Sequence, residues 1–372
     1  MKKYFVMAAL AVSTLTASAQ SVVPKWINNV KLSGFGIVQY TYNGQENNES
    51  NSFNLRLARL ALDGRAFDDW YWKAQIQFNG NTSTLGSSPK LVDLFIEWQK
   101  YDFLRVKAGQ FKNPFTYENP MHPIDQGFMS YSQVISKFAG FSDRAGAHSS
   151  NGRDIGVQLQ GDFLKNASGR NLIHYQVGVF NGQGINVKDV DQQKNIIGGA
   201  WVMPVEGMRL GAFGWIGSYA RKGTSPAEGI TNTTLRRLQQ RRYAFSAEYK
   251  VDDWTFRSEY VHSTGYAFAK AMVNTNDASA KDITLSSNGD KSQGVYALVI
   301  APIIKKKCHA KARYDMYQPS KGAEKQRTQY EIGLDYYFNK NICLTGEYAY
   351  IHDRALADPN YSMIDVELSY RF

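Results

Sequence analysis

The sequence predicts an all-β chain folded as a transmembrane antiparallel β-barrel of about sixteen strands. Three observations carry the prediction: the alternation of the last ten residues, an export segment at the start, and no later apolar run near the ~20 residues that a spanning helix requires. In the stretch 363–372, Ile364, Val366, Leu368, Tyr370 and Phe372 share one parity, and Met363, Asp365, Glu367, Ser369 and Arg371 share the other. A strand with that pattern has one apolar and one wet face along its whole length, which is the pattern of a barrel strand between lipid and water. A soluble edge strand can alternate in the same way, so one strand alone does not decide the class.

The start of the chain agrees with export. Lys2 and Lys3 precede an apolar stretch over 4–12, and Ala17-Ser18-Ala19 stands before Gln20, the layout of a cleavable secretory signal. The expected organisation is therefore a signal peptide over 1–19 and one barrel over 20–372, located in the bacterial outer membrane. Position 20 is Gln rather than Cys, which gives no sign of a lipoprotein anchor. A terminal aromatic preceded by apolar residues at two-residue intervals also resembles the assembly signal of outer-membrane barrels.

Sixteen segments alternate well enough to be strands. In the first half they are 32–42, 53–65, 70–79, 91–99, 103–111, 155–162, 172–180 and 195–203; in the second, 208–219, 243–251, 254–262, 294–301, 308–317, 330–338, 342–350 and 362–372. The segment 70–79 is the clearest internal case, with Trp70, Trp72, Ala74, Ile76 and Phe78 against Tyr71, Lys73, Gln75, Gln77 and Asn79. The segments 195–203 and 208–219 are apolar on both faces and fit least well. Connectors alternate between short and long, and an even strand count puts both ends in the periplasm and the long connectors outside the cell. The loops 43–52 and 221–240 should then face outward.

Composition fits this architecture. Tyr 23, Phe 20 and Trp 7 accompany Gly 31, as expected for a wall with aromatic girdles. A formal charge of +10 points to anionic partners, either permeating solutes or the phosphates of outer-membrane lipid and lipopolysaccharide, although a solvated basic face gives the same figure. Arg236, Arg237, Arg241 and Arg242 are expected to end an external loop, and Lys305, Lys306 and Lys307 to form a periplasmic turn. Cys308 and Cys343 fall on opposite parities of strands that have a third between them, so they are ~10 Å apart and unpaired. No metal-ligand spacing, cofactor motif, nucleotide loop or nucleic-acid motif appears, and the six His are scattered.

Four runs resemble a known family: RLARLALDGRAF at 56–67, LRVKAGQFKNPFTYEN at 104–119, GRDIGVQLQGDF at 152–163 and YQVGVFNGQG at 175–184. They look like the phosphate-selective porins O and P. The resemblance implies a sixteen-stranded barrel, usually a homotrimer, whose constricted channel passes anions along a ladder of arginines and past basic and hydroxyl residues of an inward loop. The connector 112–152 suits that loop. It is the third external connector, it carries Pro114, Pro120 and Pro123, and Phe115, Tyr117, Phe128, Tyr131, Phe138 and Phe141 make it too aromatic for disorder. It is expected to fold inward, the alternative being a plug or a lid on the barrel mouth.

The residues name a candidate anion path. The inward parity of the early strands carries Arg59, Arg65, Lys73, Arg105 and Lys107, while Lys112, Lys137, Arg144 and Arg153 belong to the long connector and its exit. Guanidinium forks match phosphate oxygens, and a series of weak sites lets an anion move on. The same parity also holds Asp63, Asp93 and Glu97, and the later strands add Glu248, Glu259, Asp315, Glu331, Asp335, Glu347, Asp365 and Glu367. Any one of the cations can thus be a wall residue paired to a carboxylate. The function expected is a water-filled channel for small hydrophilic solutes with a preference for anions such as phosphate, and not an enzyme. Two alternatives stand beside it. One is a closed structural or adhesive barrel. The other is a phospholipase-type barrel, because His148 to Arg153 reads HSSNGR, a spacing that puts a His and a Ser on one strand face. A third, orienting Asn is missing, with Gly161 and Asp162 in its region.

Overall fold

A computed structural model describes residue 24 and residues 26–79, 89–146, 150–270, 279–286 and 290–372. The expected signal peptide over 1–19 lies outside the described residues. Seventeen strands follow in order: β1 Ile27–Asn43, β2 Ser50–Ala66, β3 Trp70–Gln77, β4 Lys90–Tyr101, β5 Leu104–Lys112, β6 Arg153–Lys165, β7 Asn171–Phe180, β8 Asn195–Val202, β9 Met208–Ser225, β10 Ile230–Val251, β11 Trp254–Thr264, β12 Ser279–Asp282, β13 Lys291–Ile304, β14 Cys308–Gln318, β15 Arg327–Asn339, β16 Ile342–Asp353 and β17 Asn360–Arg371. Sixteen of them form a closed antiparallel wall, since β1 pairs with both β2 and β17 and β11 pairs directly with β13. Each expected segment is one of these wall strands. The short β12 stands apart and pairs in parallel with the end of β9.

The wall inverts the burial of a soluble protein. On β17, Ile364, Val366, Leu368 and Tyr370 are exposed, while Asp365, Glu367 and Ser369 are buried. A charge at mid-height on the apolar face would cost ~2–4 kcal/mol in a bilayer, which is why the charges keep to the other parity. The seam closes in register from Phe35 opposite Arg371 to Asn43 opposite Met363. The Phe372 N–H donates to the Gly34 carbonyl at 3.0 Å, and the Gly34 N–H donates back at 3.1 Å. A Cβ at Gly36 would stand 2.5 Å from the Tyr370 ring that lies over it, and the ring would have to turn aside.

Two expectations need correction. The run 221–240 is not a loop: β9 continues to Ser225 and β10 begins at Ile230, joined by a 3-10 turn over Pro226–Glu228. Above the apolar band this hairpin is mostly polar, with Tyr219 and Leu238 buried among other apolar side chains, so the alternation continues in hydrogen bonding but not in hydropathy. Arg236, Arg237, Arg241 and Arg242 therefore lie within β10, and Arg242 is buried. The two-sided apolar character of 195–203 and 208–219 also has a cause. Ile197, Phe213 and Trp215 pack inward against Phe115 and Tyr117 of the long connector. Cys308 and Cys343 are free, on β14 and β16 with β15 between them.

Candidate permeation path

The connector 113–152 is tied to the polar face of the late strands. Its helix, α1 Gln133–Phe138, is capped by Ser132, whose Oγ accepts the Ile135 N–H at 3.2 Å. Phe115, Tyr117, Phe128 and Phe138 join Phe180, Phe213, Trp215, Tyr296 and Tyr317 in one buried cluster. Backbone groups that no helix or strand satisfies go to wall side chains. Glu259 accepts the N–H groups of Tyr117 and Glu118 at 2.9 and 2.8 Å, Asp315 that of Gln133 at 2.7 Å and Glu347 that of Met129 at 2.9 Å. In the other direction, Arg257, Lys311 and Arg313 donate to the carbonyls of Gln126, Gly127 and Ser130 at 2.8, 2.9 and 3.0 Å.

These wall groups also pair with one another, which is what makes so many buried charges tolerable. Arg313 forks onto Glu331 at 2.5 and 2.8 Å, Arg257 meets Glu248 at 2.7 Å, and Lys311 bridges Asp335 and Glu347 at 2.8 and 2.7 Å. Arg242 forks onto Asp143 of the connector at 2.7 and 2.8 Å. Leaving one member of such a pair alone costs about 3–5 kcal/mol. The carboxylates of the late strands thus serve to hold the connector.

The early strands face it differently. A cavity of about 250 Å³ separates the 120–123 part of the connector from β2 to β6, and Arg59, Lys73, Lys107, Lys112, Arg153 and Asp93 line it. Arg153 forks onto Asp93 at 2.6 and 3.1 Å. Lys107 lies 3.7 Å from Glu97 and 5.0 and 5.3 Å from the ring centres of Phe95 and Phe111. Lys112 donates to the Met121 carbonyl at 2.6 Å and stands over Tyr131. Arg59 is only 4% exposed, and its Nε donates to Gln77 at 2.8 Å. Neither the terminal nitrogens of Arg59 nor the ammonium of Lys73 has a hydrogen-bond or carboxylate partner among the described residues. On the connector, burial beside the Phe35 ring, with Lys112 and Arg59 nearby, pushes His122 down to about 4.

Five of the nine expected path residues therefore meet at one cavity, and four do not. Arg65 sits at the end where the turns are short, donating to the Asp68 carbonyl at 2.9 Å and to Gln99 at 3.1 Å. Arg105 pairs with Asp162 at 2.5 Å, and Asp162 also bonds His174 at 2.7 Å. Lys137 lies on α1 over the Tyr317 ring, and Arg144 donates to the Gly265 carbonyl at 2.7 Å. The wall cations Arg257, Lys311 and Arg313 escaped the sequence reading, although each shares the parity of a carboxylate that was counted. Arg56 was missed for another reason. A register shift between β1 and β2 at this height turns it toward Glu367, 2.6 Å away, and the Met129 carbonyl.

Of the HSSNGR run, His148 and Ser149 lie outside the described residues. Ser150 is buried, and its Oγ donates to the Gly140 carbonyl at 2.6 Å, so its proton is engaged in holding the connector.

The family model described as phosphate-selective porin O and P matches residues 33–191. That stretch contains all four runs on which the resemblance was read. No curated protein matches the chain. Among solved structures, the anion-selective porin from Comamonas acidovorans has a TM-score of 0.62 at 13% identity, covering 92% of this chain and 99% of that one. A loop-deleted form of OmpT, an outer membrane protein of Vibrio cholerae, gives 0.62 at 12% identity over 92% and 99%. The outer membrane channel DcaP of Acinetobacter baumannii gives 0.60 at 13% identity over 92% and 97%. At such identities these structures share the fold, and the family match supports the reading of the chain as an outer-membrane porin.

Proposed function

We propose that the chain is a diffusion channel of the bacterial outer membrane for small hydrophilic solutes, with a preference for anions such as phosphate, and not an enzyme. In this reading the signal peptide over 1–19 is removed on export, three copies assemble, and outer-membrane lipid and lipopolysaccharide surround the barrel. The connector 113–152 narrows the lumen from the side of the late strands, and the path runs past β2 to β6. The observation that carries the reading is the imbalance at the cavity, where five cations, Arg59, Lys73, Lys107, Lys112 and Arg153, outnumber Asp93 in the lining and Glu97 beside Lys107. A low-dielectric wall focuses that positive potential and raises the local concentration of anions.

The test is reversal potential in planar bilayers under graded salt, with chloride and phosphate compared. The native channel should favour anions, and Arg59→Gln combined with Lys107→Gln should move the reversal potential toward cations while the barrel stays heat-modifiable. A double variant that folds and keeps the native ion preference would remove these residues from the path. Phosphate permeating no better than chloride would remove the phosphate preference by itself.

A further inference from the structure

The cavity on β2 to β6 has a second property that charge alone does not explain. Its wall side carries Phe95 and Phe111 and its connector side Pro120, Met121 and Pro123, apolar surface that a hydrated inorganic anion gains nothing by touching. We propose that this cavity is a subsite for organic anions that join a carboxylate to a compact apolar body; the proposal rests on the anion-channel reading above and names its substrate class.

Three features argue for it. First, Arg59 is a buried cation whose terminal nitrogens have no partner among the described residues, and Lys73 beside it has no carboxylate within ion-pair distance among them. Arg59 has the Phe35 ring 5.8 Å from its guanidinium carbon and Asp93 nearby, a carboxylate already forked by Arg153, so an incoming carboxylate adds hydrogen bonds that the protein does not make there, and the planar fork of Arg matches its two oxygens. Second, Phe95 lies between Tyr71 and Phe111, with ring centres 6.0 and 5.9 Å away, so its ring is held in place by neighbours and needs no ordering when a ligand arrives. Third, the cavity of about 250 Å³ is smaller than the ~300–1,000 Å³ of sites for drug-sized ligands, which fits an occupant of one ring or a short branched chain.

The experiment uses the full-length channel in planar bilayers carrying a chloride current, with benzoate, acetate and inorganic phosphate added in turn. Benzoate and acetate present the same carboxylate and differ in the apolar body. Benzoate should halve the current at about tenfold lower concentration than acetate, the gain expected when part of a ring leaves water. Phe95→Thr should bring benzoate and acetate to within about twofold of each other, and Arg59→Gln should weaken block by both in equal proportion. Equal block by benzoate and acetate in the native channel, with its anion preference intact, overturns this proposal and leaves the channel reading standing. Loss of any anion preference in the native channel overturns both. A heat-modifiable Phe95→Thr barrel that keeps the native gap between the two carboxylates overturns the location, and the native comparison decides the substrate class even where that variant fails to fold.

Discussion

His122 shows how the connector can feel pH through one residue. Its ring packs edge-on against Phe35, with centroids 4.4 Å apart, and its Nδ1 accepts the Ile124 N–H at 3.3 Å. Burial and the cations Lys112, Arg59 and Arg371 disfavour the imidazolium, which Asp125 only partly offsets, and the pKa falls from 6.5 to about 4. Because the docked state binds this proton more weakly than the released one, its stability is complete above about 6.5 and is lost as pH falls from there through about 4. The loss should be on the order of 1 kcal/mol for a group that keeps some contact with water. Thermal unfolding in detergent at pH 7 and pH 5 should show a larger drop for the native chain than for His122→Gln. Equal drops in the two proteins would place the acid sensitivity elsewhere.

At the scale of elements, the closing strand is the most informative. Its alternation was legible because both of its faces meet one environment each: lipid outside and the polar interior inside. β3 was legible for the same reason. The hairpin of β9 and β10 was not, since beyond the apolar band water lies on one side and a packed connector on the other. There Leu238 and Tyr219 meet Phe268 and Ile283, residues far away along the chain, and no local period announces such a contact. The path residues divide in the same way. Parity placed Arg59, Lys73 and Lys107 on the inner face correctly, but parity cannot tell which inner-face carboxylate will turn to a cation and which to a backbone N–H of the connector, as Glu259 does. For β17 the consequence is testable. Deleting Phe372 removes both hydrogen bonds to Gly34 and an outward ring at the end of the seam. The heat-modifiable barrel recovered from the outer membrane should fall sharply, and unchanged recovery would show that the terminal aromatic is incidental to assembly.

At the scale of the whole molecule, the two ends of the barrel differ. One end has the turns 67–69, 102–103, 252–253, 305–307 and 340–341; the other has the connectors 113–152, 181–194 and 265–290. The described start of β1 and the end of β17 lie at the short-turn end, where Ile27 stands opposite Ala66 beside the first short turn. A barrel that inserts from the periplasm carries its short turns there and sends its long connectors outward. Impermeant thiol reagents can read this orientation once Cys308 and Cys343, both free, are replaced by Ser. Asn47 is a poor site for a new cysteine, because its φ of 61° favours Asn. Its neighbour Glu46 and Thr231 at the start of β10 are exposed at the long-connector end, and Lys340 is exposed at the other. Glu46→Cys and Thr231→Cys should react with an impermeant maleimide on intact cells, and Lys340→Cys only after the outer membrane is opened. Labelling of Lys340→Cys on intact cells, with the other two silent, would invert the barrel and move the entry of the anion path to the opposite face.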